Sequence, residues 1–355
     1  MKEKDKNARR AFLKSLAGLT AGMMIPGACQ SNPGNKNEIT RVAGESAFKN
    51  VKVMALERDR LGELLPQRSF GKTGEFVTML GVGGAHISRM DDKEAQATIE
   101  TALEGGIRFF DNAESYGSGS KGEVLYGKFL SPEYRDVAYI MTKTTARDAN
   151  TARQHLEGSL KRMKTDYLDL WQVHAVTSPD DVDGRIANGV LEVVLKAQEE
   201  GKVRHIGFTG HTDFNAHLRM LEKTEVMQTC QMPINAFDPN YKSFINNVLP
   251  RLVEKNIAPI AMKTLANGGF FGGTRHFYGG DNPTIVPNKL SVKEALSFTW
   301  SLPVSVIVTG ADDAKMLTEK IELARSFSAF DENERQKLVE RVADFDGSLV
   351  EYYKA

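Results

Sequence analysis

The chain has little cysteine and no excess of either charge. Its 355 residues include only two cysteines, Cys29 and Cys230, which excludes a disulfide framework. Lysine and arginine together number 46, as do aspartate and glutamate, so the formal net charge is zero. Because proteins that bind nucleic acid or a membrane surface need a clustered basic field, this balance argues against both classes.

A long apolar run and an early glycine-rich dinucleotide motif are also missing. The apolar stretch 16–26 is shorter than the roughly 20 residues that a membrane-spanning helix needs. No G-x-G-x-x-G follows an early strand, which disfavours a doubly wound open sheet. With 41% hydrophobic residues, the chain can form one large α/β domain with insertions or two ordinary domains.

The first 29 residues have the features of a targeting segment. The pair Arg9-Arg10, followed by Ala-Phe-Leu-Lys14, resembles a twin-arginine export motif. We therefore expect the twin-arginine export machinery as a partner and a mature protein outside the cytoplasm, in the periplasm. The alternative interpretation is an amphipathic N-terminal helix of a cytosolic enzyme.

A lipid anchor at Cys29 is the second expectation for this region. The residues Ile-Pro-Gly-Ala before Cys29 resemble a lipoprotein processing site, although Pro26 stands where such sites usually carry leucine. Otherwise Cys29 is an incidental cysteine near a signal cleavage point. Residues 30–66 are predicted to be a polar tether and an N-terminal extension.

From residue 67 to 355 the pattern alternates between short apolar strands and amphipathic helices. A β-hairpin is predicted around Gly71–Gly74, a helix beginning with a capping box at Ser291 and ending near Trp300, and a C-terminal helix over 331–353. The predicted barrel strands are 79–82, 107–110, 137–142, 168–173, 204–208, 226–232, 257–262 and 303–308. Eight strand–helix units in about 250 residues predict a closed (β/α)8 TIM barrel.

Four chemically reactive residues stand at or just after the ends of successive predicted strands. In chain order they are Asp111, Tyr116, Lys143 and His174. Active sites of this barrel type lie at the C-terminal ends of the strands, which would bring the four together. The order, spacing and strand-end context of this set resemble the catalytic tetrad of the aldo-keto reductase family, over about residues 68–330. The resemblance implies the same barrel.

The resemblance also implies the roles of the tetrad in carbonyl reduction. Tyr116 would donate a proton to a carbonyl oxygen whose carbon receives hydride. Lys143 would lower the pKa of this phenol, which is ordinarily near 10. Asp111 would keep Lys143 charged and oriented, and His174 would hydrogen-bond the substrate oxygen. No metal site is expected.

The family's cofactor wall is only partly matched. Thr209-Gly210 stands where the family commonly has Ser-Asn, so a hydroxyl is kept and an amide is lost. Gln231 matches the family's other amide contact, whereas Met262 replaces the tyrosine that usually stacks on nicotinamide. A thioether packs on a ring less specifically.

Further cofactor contacts are expected from Lys263, Leu265, Gly310 and Asp312. His211 and Lys263 could compensate for the changes in the wall, or could simply lie on the surface. At the family's adenosine-phosphate loop, Asp312 and Asp313 would favour NAD by repelling a 2′-phosphate, while Lys315 could restore phosphate binding. The alternative is that Asp312 only caps the following helix. Met316 and Lys320 stand where the family usually has Arg and Asn.

Substrate specificity is mostly invisible in the sequence. His86 and Trp171 are candidate pocket residues, with Trp171 also suited to the core. The loop 267–288, rich in glycine and aromatic residues, could form a lid.

The resulting expectation is an exported oxidoreductase that uses NAD(H) or NADP(H) and acts on a small-molecule aldehyde or ketone, including a sugar-like carbonyl, or on the corresponding alcohol. Two alternatives stay open. One is a redox-neutral enzyme with tightly bound NAD(P), and the other is a non-catalytic nucleotide-binding barrel.

Overall fold

Eight parallel strands close into a barrel, as the sequence predicts. The computed structural model describes residues 52–54, 57–270, 286 and 289–354. Arg9, Arg10 and Cys29, together with most of the 267–288 loop, lie outside the described residues. Within the described part, no helix is long and apolar enough to cross a membrane.

The barrel strands follow one another around the ring, and the last pairs with the first. The described strands are β1 (Arg58–Asp59), β2 (Gly62–Glu63), β3 (Gln67–Ser69), β4 (Phe76–Thr78), β5 (Leu80–Gly83), β6 (Phe109–Asp111), β7 (Tyr139–Thr144), β8 (Leu168–Val173), β9 (Val203–Thr209), β10 (Thr229–Pro233), β11 (Ala258–Met262) and β12 (Val306–Thr309). The barrel consists of β5 to β12. Several barrel strands begin two or three residues later than predicted, and β6 and β7 end one and two residues later, so that they include Asp111 and Lys143.

The helices connect these strands on the outside of the barrel. They are α1 (Gly84–Ile87), α2 (Asp92–Glu104), α3 (Lys121–Phe129), α4 (Ser131–Tyr134), α5 (Ala149–Met163), α6 (Pro179–Ala187), α7 (Val190–Glu199), α8 (Phe214–Lys223), α9 (Phe244–Asn247), α10 (Leu249–Glu254), α11 (Val292–Trp300), α12 (Ala314–Arg325), α13 (Glu332–Arg341) and α14 (Gly347–Val350). Side-chain caps define several starts. Ser291 and Glu294 form the predicted capping box of α11.

The N-terminal hairpin is also present, as β3 paired with β4. Its Phe70 is fully buried and meets Phe109 edge to face, with 5.9 Å between ring centroids. Phe70 belongs to the small cluster that fills the barrel interior, whereas most of the core lies between the sheet and the helices. Trp171 is fully buried in that outer layer, which makes it a core residue.

The predicted C-terminal helix is not continuous. The structure has α13, then an irregular stretch, then the single turn α14. The side chain of Asp346 accepts a hydrogen bond from the backbone N–H of Ser348 and so starts a new helix inside the predicted one. The residues after α14 turn back toward the barrel.

Candidate active site

The strand ends bring the four tetrad residues together. Asp111 is the last residue of β6, Lys143 lies near the end of β7, and His174 directly follows β8. Tyr116 stands in the loop after β6, at the same end of the barrel. Asp111 and Lys143 are buried, whereas Tyr116 and His174 are partly exposed and can meet a small molecule.

The ammonium group of Lys143 is the centre of the set. It donates to Asp111 Oδ1 at 2.5 Å, to the Asn112 carbonyl oxygen at 2.7 Å and to Tyr116 Oη at 3.3 Å. Asp111 Oδ1 also accepts from Gln231 Nε2 at 3.3 Å. These contacts fix the Tyr116 hydroxyl beside a cation whose own position is set by a carboxylate.

Burial acts against both charges of the central ion pair. It raises the pKa of Asp111 and lowers the pKa of Lys143, and in each case the partner's charge opposes the shift. A buried ion pair contributes little net stability, while removing one partner leaves an uncompensated charge. The pair is therefore better explained by what it does to Tyr116 than by what it adds to the fold.

The protonation of Tyr116 is governed by its burial. Burial raises the pKa of this phenol well above 10, and Asp111 and Glu114 act in the same direction. Lys143 is not among the groups that shift this pKa, so its expected lowering of the pKa of the phenol stays a prediction. The shift keeps Tyr116 protonated and able to donate, and Lys143 would stabilise the phenolate only as the proton leaves.

His174 is placed as a neutral hydrogen-bonding group. Its ring meets Tyr116 edge to face, with 6.0 Å between centroids. Burial, followed by the charges of Lys143, His211 and Arg185, lowers the pKa of His174 well below 6.5. Its Nδ1 is buried and has no hydrogen-bond partner among the described residues, while the residue as a whole is partly exposed.

Two buried polar atoms on neighbouring strands form a second feature of the site. Thr209 and Gln231 are direct partners in the register of β9 and β10, and both side chains are buried. Thr209 Oγ1 and Gln231 Oε1 have no hydrogen-bond partner in the described part of the chain. Because unsatisfied buried polar atoms are costly, a hydroxyl and an amide oxygen side by side suit a ligand such as a carboxamide.

Gly210 comes next in the chain, at a position where the fold leaves no room for a side chain. A Cβ at this position would lie 2.4 Å from the Val176 carbonyl oxygen and 2.8 Å from the His217 ring. The amide that the family commonly carries here is therefore sterically excluded. The polar groups of the wall come from Thr209, Gln231 and the neighbouring His211.

The C-terminal end of each barrel strand and the residues directly after it are called here the exit of that strand. The exit of β11 places Met262, Lys263 and Leu265 at the same mouth of the barrel, and all three are partly exposed. Burial, followed by the charge of Arg89, lowers the pKa of Lys263 to about 8. Lys263, Ala266 and Asn267 have positive φ values of 59°, 47° and 54°. Left-handed backbone at such residues costs energy and is concentrated at functional sites, so this exit has the character of a binding segment.

Gly310, at the exit of β12, lies against His86. A Cβ there would be 2.0 Å from the His86 ring, and the Gly310 carbonyl oxygen accepts a hydrogen bond from Lys320. Burial, then Arg89, Lys320 and Lys263, lowers the pKa of His86 to about 3. The structure thus brings His86 next to the expected cofactor loop, as a neutral ring.

The helix cap after β12 corrects one expectation. Asp313, rather than Asp312, caps α12, and its side chain accepts from the Met316 N–H at 2.7 Å. Asp312 and Lys315 are exposed. Asp312 is therefore free of the capping role, and the two exposed groups have opposite effects on a 2′-phosphate.

Some residues near the tetrad were missed by sequence reasoning. Glu114, between Asp111 and Tyr116, accepts from the Thr145 N–H at 2.8 Å and raises the pKa of Tyr116. The Asn112 carbonyl oxygen is the third acceptor of the Lys143 ammonium group. Glu114 could have been found from the sequence, because it is only two positions from Tyr116 in the same loop. The segment 351–354, which lies beside His211 and Lys263, had no such signal.

Comparison with known proteins gives a consistent match. The model of the Aldo/keto reductase family matches residues 79–321. The chain is 32% identical over 217 residues to an aldo-keto reductase of Bacillus subtilis, YhdN, covering 56% of this chain and 62% of that protein. It is 27% identical over 219 residues to L-galactose dehydrogenase of Arabidopsis thaliana, covering 57% and 66%. The chain thus spans less than two thirds of the length of these curated relatives.

A solved structure agrees with the fold. The holo form of aldo-keto reductase AKR11C1 from Bacillus halodurans superposes with a TM-score of 0.66. The match covers 80% of this chain and 99% of that chain, at 19% sequence identity. This likeness concerns the barrel.

Proposed function

This chain belongs to the aldo/keto reductase family, and we propose that it is an NAD(P)-dependent oxidoreductase with Tyr116 as general acid. The observation that carries the proposal is the Lys143 ammonium group, 2.5 Å from Asp111 Oδ1 and 3.3 Å from Tyr116 Oη. The same arrangement argues against a purely binding barrel, since a binding module has no need of a buried cation beside a tyrosine hydroxyl.

The wall residues fit a nicotinamide cofactor. Thr209 Oγ1 can donate to a carboxamide oxygen, and Gln231 Oε1 can accept from a carboxamide NH₂. Both atoms lack partners among the described residues. Met262, Lys263, Leu265 and Gly310 would hold the rest of the dinucleotide at the exits of β11 and β12. When bound, the cofactor supplies or accepts the hydride.

The protein's own part of the reaction is proton transfer and orientation. In the reducing direction Tyr116 donates its proton to the carbonyl oxygen, and the carbon that gains hydride becomes an alcohol carbon. Lys143 stabilises the charge that develops on the phenol oxygen, while Asp111 keeps the ammonium group in place. The neutral His174 ring contacts the same substrate oxygen. These residues perform the reverse steps when an alcohol is oxidised.

We expect Thr209→Val and Gln231→Met each to weaken binding of the nicotinamide nucleotide about tenfold, the effect of losing one buried hydrogen bond of about 1.4 kcal/mol. Isothermal titration with NAD(H) and NADP(H) measures this. Both nucleotides are needed, because the exposed Asp312 disfavours a 2′-phosphate and the exposed Lys315 favours one. Thr224→Val, in the turn after α8, is the matched control. Unchanged affinity in both wall variants would contradict the assignment of the wall.

We also propose that the substrate is a small carbonyl compound or alcohol of the sugar type. The support is the relative named L-galactose dehydrogenase. A panel of aldoses, ketoses and simple aldehydes, assayed in both directions, tests this. Turnover of simple aldehydes with no turnover of any sugar would exclude the sugar class.

Export through the twin-arginine route remains a proposal that rests on Arg9, Arg10 and the apolar stretch after them. Replacing both arginines with lysine is expected to leave the protein in the cytoplasm, as measured by cell fractionation. Cys29→Ala is expected to release the exported protein from the membrane fraction, if a lipid holds it there. Export of the double-lysine variant at the wild-type level would contradict the route.

A further inference from the structure

The segment Glu351–Lys354, called here the tail brace, lies against the exits of three barrel strands. Asn235, two residues beyond β10, is the connecting side chain. Its Nδ2 donates to Glu351 Oε1 at 2.7 Å, to Tyr353 Oη at 3.3 Å and to the Lys263 carbonyl oxygen at 3.3 Å. One amide group thus ties the tail brace to the backbone of the β11 exit.

The two tyrosines of the tail brace contact residues of the cofactor wall. The Tyr353 ring stacks on His211, with centroids 6.2 Å apart and planes 25° apart, and the Lys263 ammonium group lies 5.5 Å from its centroid. Tyr352 Oη accepts from Asn267 Nδ2 at 2.6 Å. The tail brace therefore reaches both His211, the residue after the Thr209–Gly210 pair, and the segment 263–267, in which three residues have positive φ.

A fully buried ionic anchor holds the tail brace in place. Lys354 Nζ donates to Asp238 Oδ1 at 2.6 Å, to Glu351 Oε2 at 2.5 Å and to the Tyr241 carbonyl oxygen at 2.9 Å. The side chains of all three charged residues are fully buried. Asp238 also accepts from Ser243 Oγ at 2.7 Å and from two backbone N–H groups.

This anchor is an energetically costly way to hold a short segment. Burying charged groups costs several kcal/mol per ion and is offset only by excellent geometry, so apolar packing would hold the segment as well. What the anchor fixes is a definite position for Tyr352 and Tyr353. The segment they contact has positive φ at Lys263 and Asn267, which persists only if the surroundings enforce it.

We propose that the tail brace is a positioning element of the cofactor site: by fixing the exits of β9 and β11, it sets the affinity for the nicotinamide nucleotide. Tyr353 and Lys354 act through His211, Lys263 and Asn267 and are not catalytic residues. The inference rests on the proposed function, because it assumes that these exits hold the cofactor.

The anchor also makes docking of the tail brace dependent on pH. Asp238 and Glu351 share the single ammonium group of Lys354, and the other polar groups facing Glu351 are Asn235 and Tyr353. Burial raises the pKa of Glu351 from 4.5 to about 7, with Lys354 opposing the shift and Asp238 adding to it. The contribution of Glu351 to docking is therefore complete below its ordinary pKa and is lost as the pH rises through about 7.

Tyr353→Ala tests the proposal while keeping the three charged residues of the anchor. We expect the Kd for NAD(H) or NADP(H), measured by isothermal titration, to rise about tenfold, while kcat at saturating cofactor stays within about twofold. Tyr353→Phe keeps the stacked ring and is expected to restore most of the affinity. In the protein without added nucleotide, hydrogen exchange of amides 263–267 is expected to be faster in Tyr353→Ala than in wild type.

Tyr134→Ala is the matched control for loss of an aromatic ring. Tyr134 also has a cation over its ring, Arg60 at 5.7 Å, but it lies in α4, away from the strand exits. The Kd is expected to be unchanged in this variant. If Tyr353→Ala has the wild-type Kd and wild-type hydrogen exchange at 263–267, the tail brace does not position the cofactor site. That outcome would leave the proposed function intact. If wild-type protein binds neither nucleotide, the proposed function fails as well.

Glu351→Gln tests the titrating group separately. Wild-type Kd is expected to rise between about pH 4.5 and 7, whereas the Kd of Glu351→Gln is expected to change much less over the same interval. Every other titrating group is common to the two proteins, so their difference reports Glu351. Equal pH dependence in both proteins would show that Glu351 does not control docking.

Discussion

Tyr116→Phe is expected to lower kcat by about two to four orders of magnitude, the usual contribution of a general acid. The change removes only the hydroxyl that lies 3.3 Å from the Lys143 ammonium group. In the proposed reaction this hydroxyl contacts the reacting oxygen and not the dinucleotide, so the Kd for NAD(P)(H) is expected to stay within about twofold. Steady-state kinetics and isothermal titration on the same preparation measure the two quantities.

The matched control for Tyr116→Phe is Tyr126→Phe. The Tyr126 hydroxyl donates to the Asp111 carbonyl oxygen at 3.0 Å, so it lies in the same region but has a structural partner. We expect this variant to lose some stability and to keep kcat within about tenfold. Wild-type turnover by Tyr116→Phe on a true substrate would remove Tyr116 from the mechanism.

Lys143→Met is expected to abolish measurable turnover and to destabilise the protein by about 3–5 kcal/mol. It leaves Asp111 buried without its cation and leaves Tyr116 without the charge that stabilises its phenolate. Chemical denaturation gives the free energy of unfolding, and the assay of carbonyl reduction gives kcat.

The double variant Asp111→Asn/Lys143→Met separates the two effects. Removing both charges is expected to restore much of the lost stability, because no uncompensated charge remains in the interior. Turnover is expected to stay absent, since the cation beside Tyr116 is still missing. Recovery of turnover together with stability would mean that Lys143 acts only on the fold.

The barrel could be predicted from the sequence because each strand is a short apolar run followed by a helix pattern. Once the strands are predicted, the tetrad can be predicted too, because the ends of parallel strands meet at one face of the barrel. The pKa of Tyr116 could not be predicted. It depends on how deeply the phenol is buried and on Glu114, whose distance from Tyr116 is set by the loop.

The sequence also could not show which of two similar neighbouring residues takes a given structural role. Asp312 and Asp313 are adjacent carboxylates, and only the backbone geometry at the start of α12 decides which of them caps it. The break between α13 and α14 depends on Asp346, one polar residue inside an otherwise helical pattern. The lysine at 354 and its partner at 238 are too far apart in sequence for any local pattern to pair them.

The central claim is that this chain transfers hydride between a nicotinamide cofactor and a carbonyl carbon, with Tyr116 donating the proton. The most direct test is an isotope-transfer experiment. The protein is incubated with the carbonyl panel and with reduced NAD or NADP that is deuterated at the hydride-donating carbon, and the alcohol products are analysed by mass spectrometry. The account predicts deuterium on the former carbonyl carbon with the wild-type protein and a loss of at least about a hundredfold in that product with Tyr116→Phe. A wild-type protein that binds either nucleotide but transfers no deuterium to any carbonyl compound would contradict it.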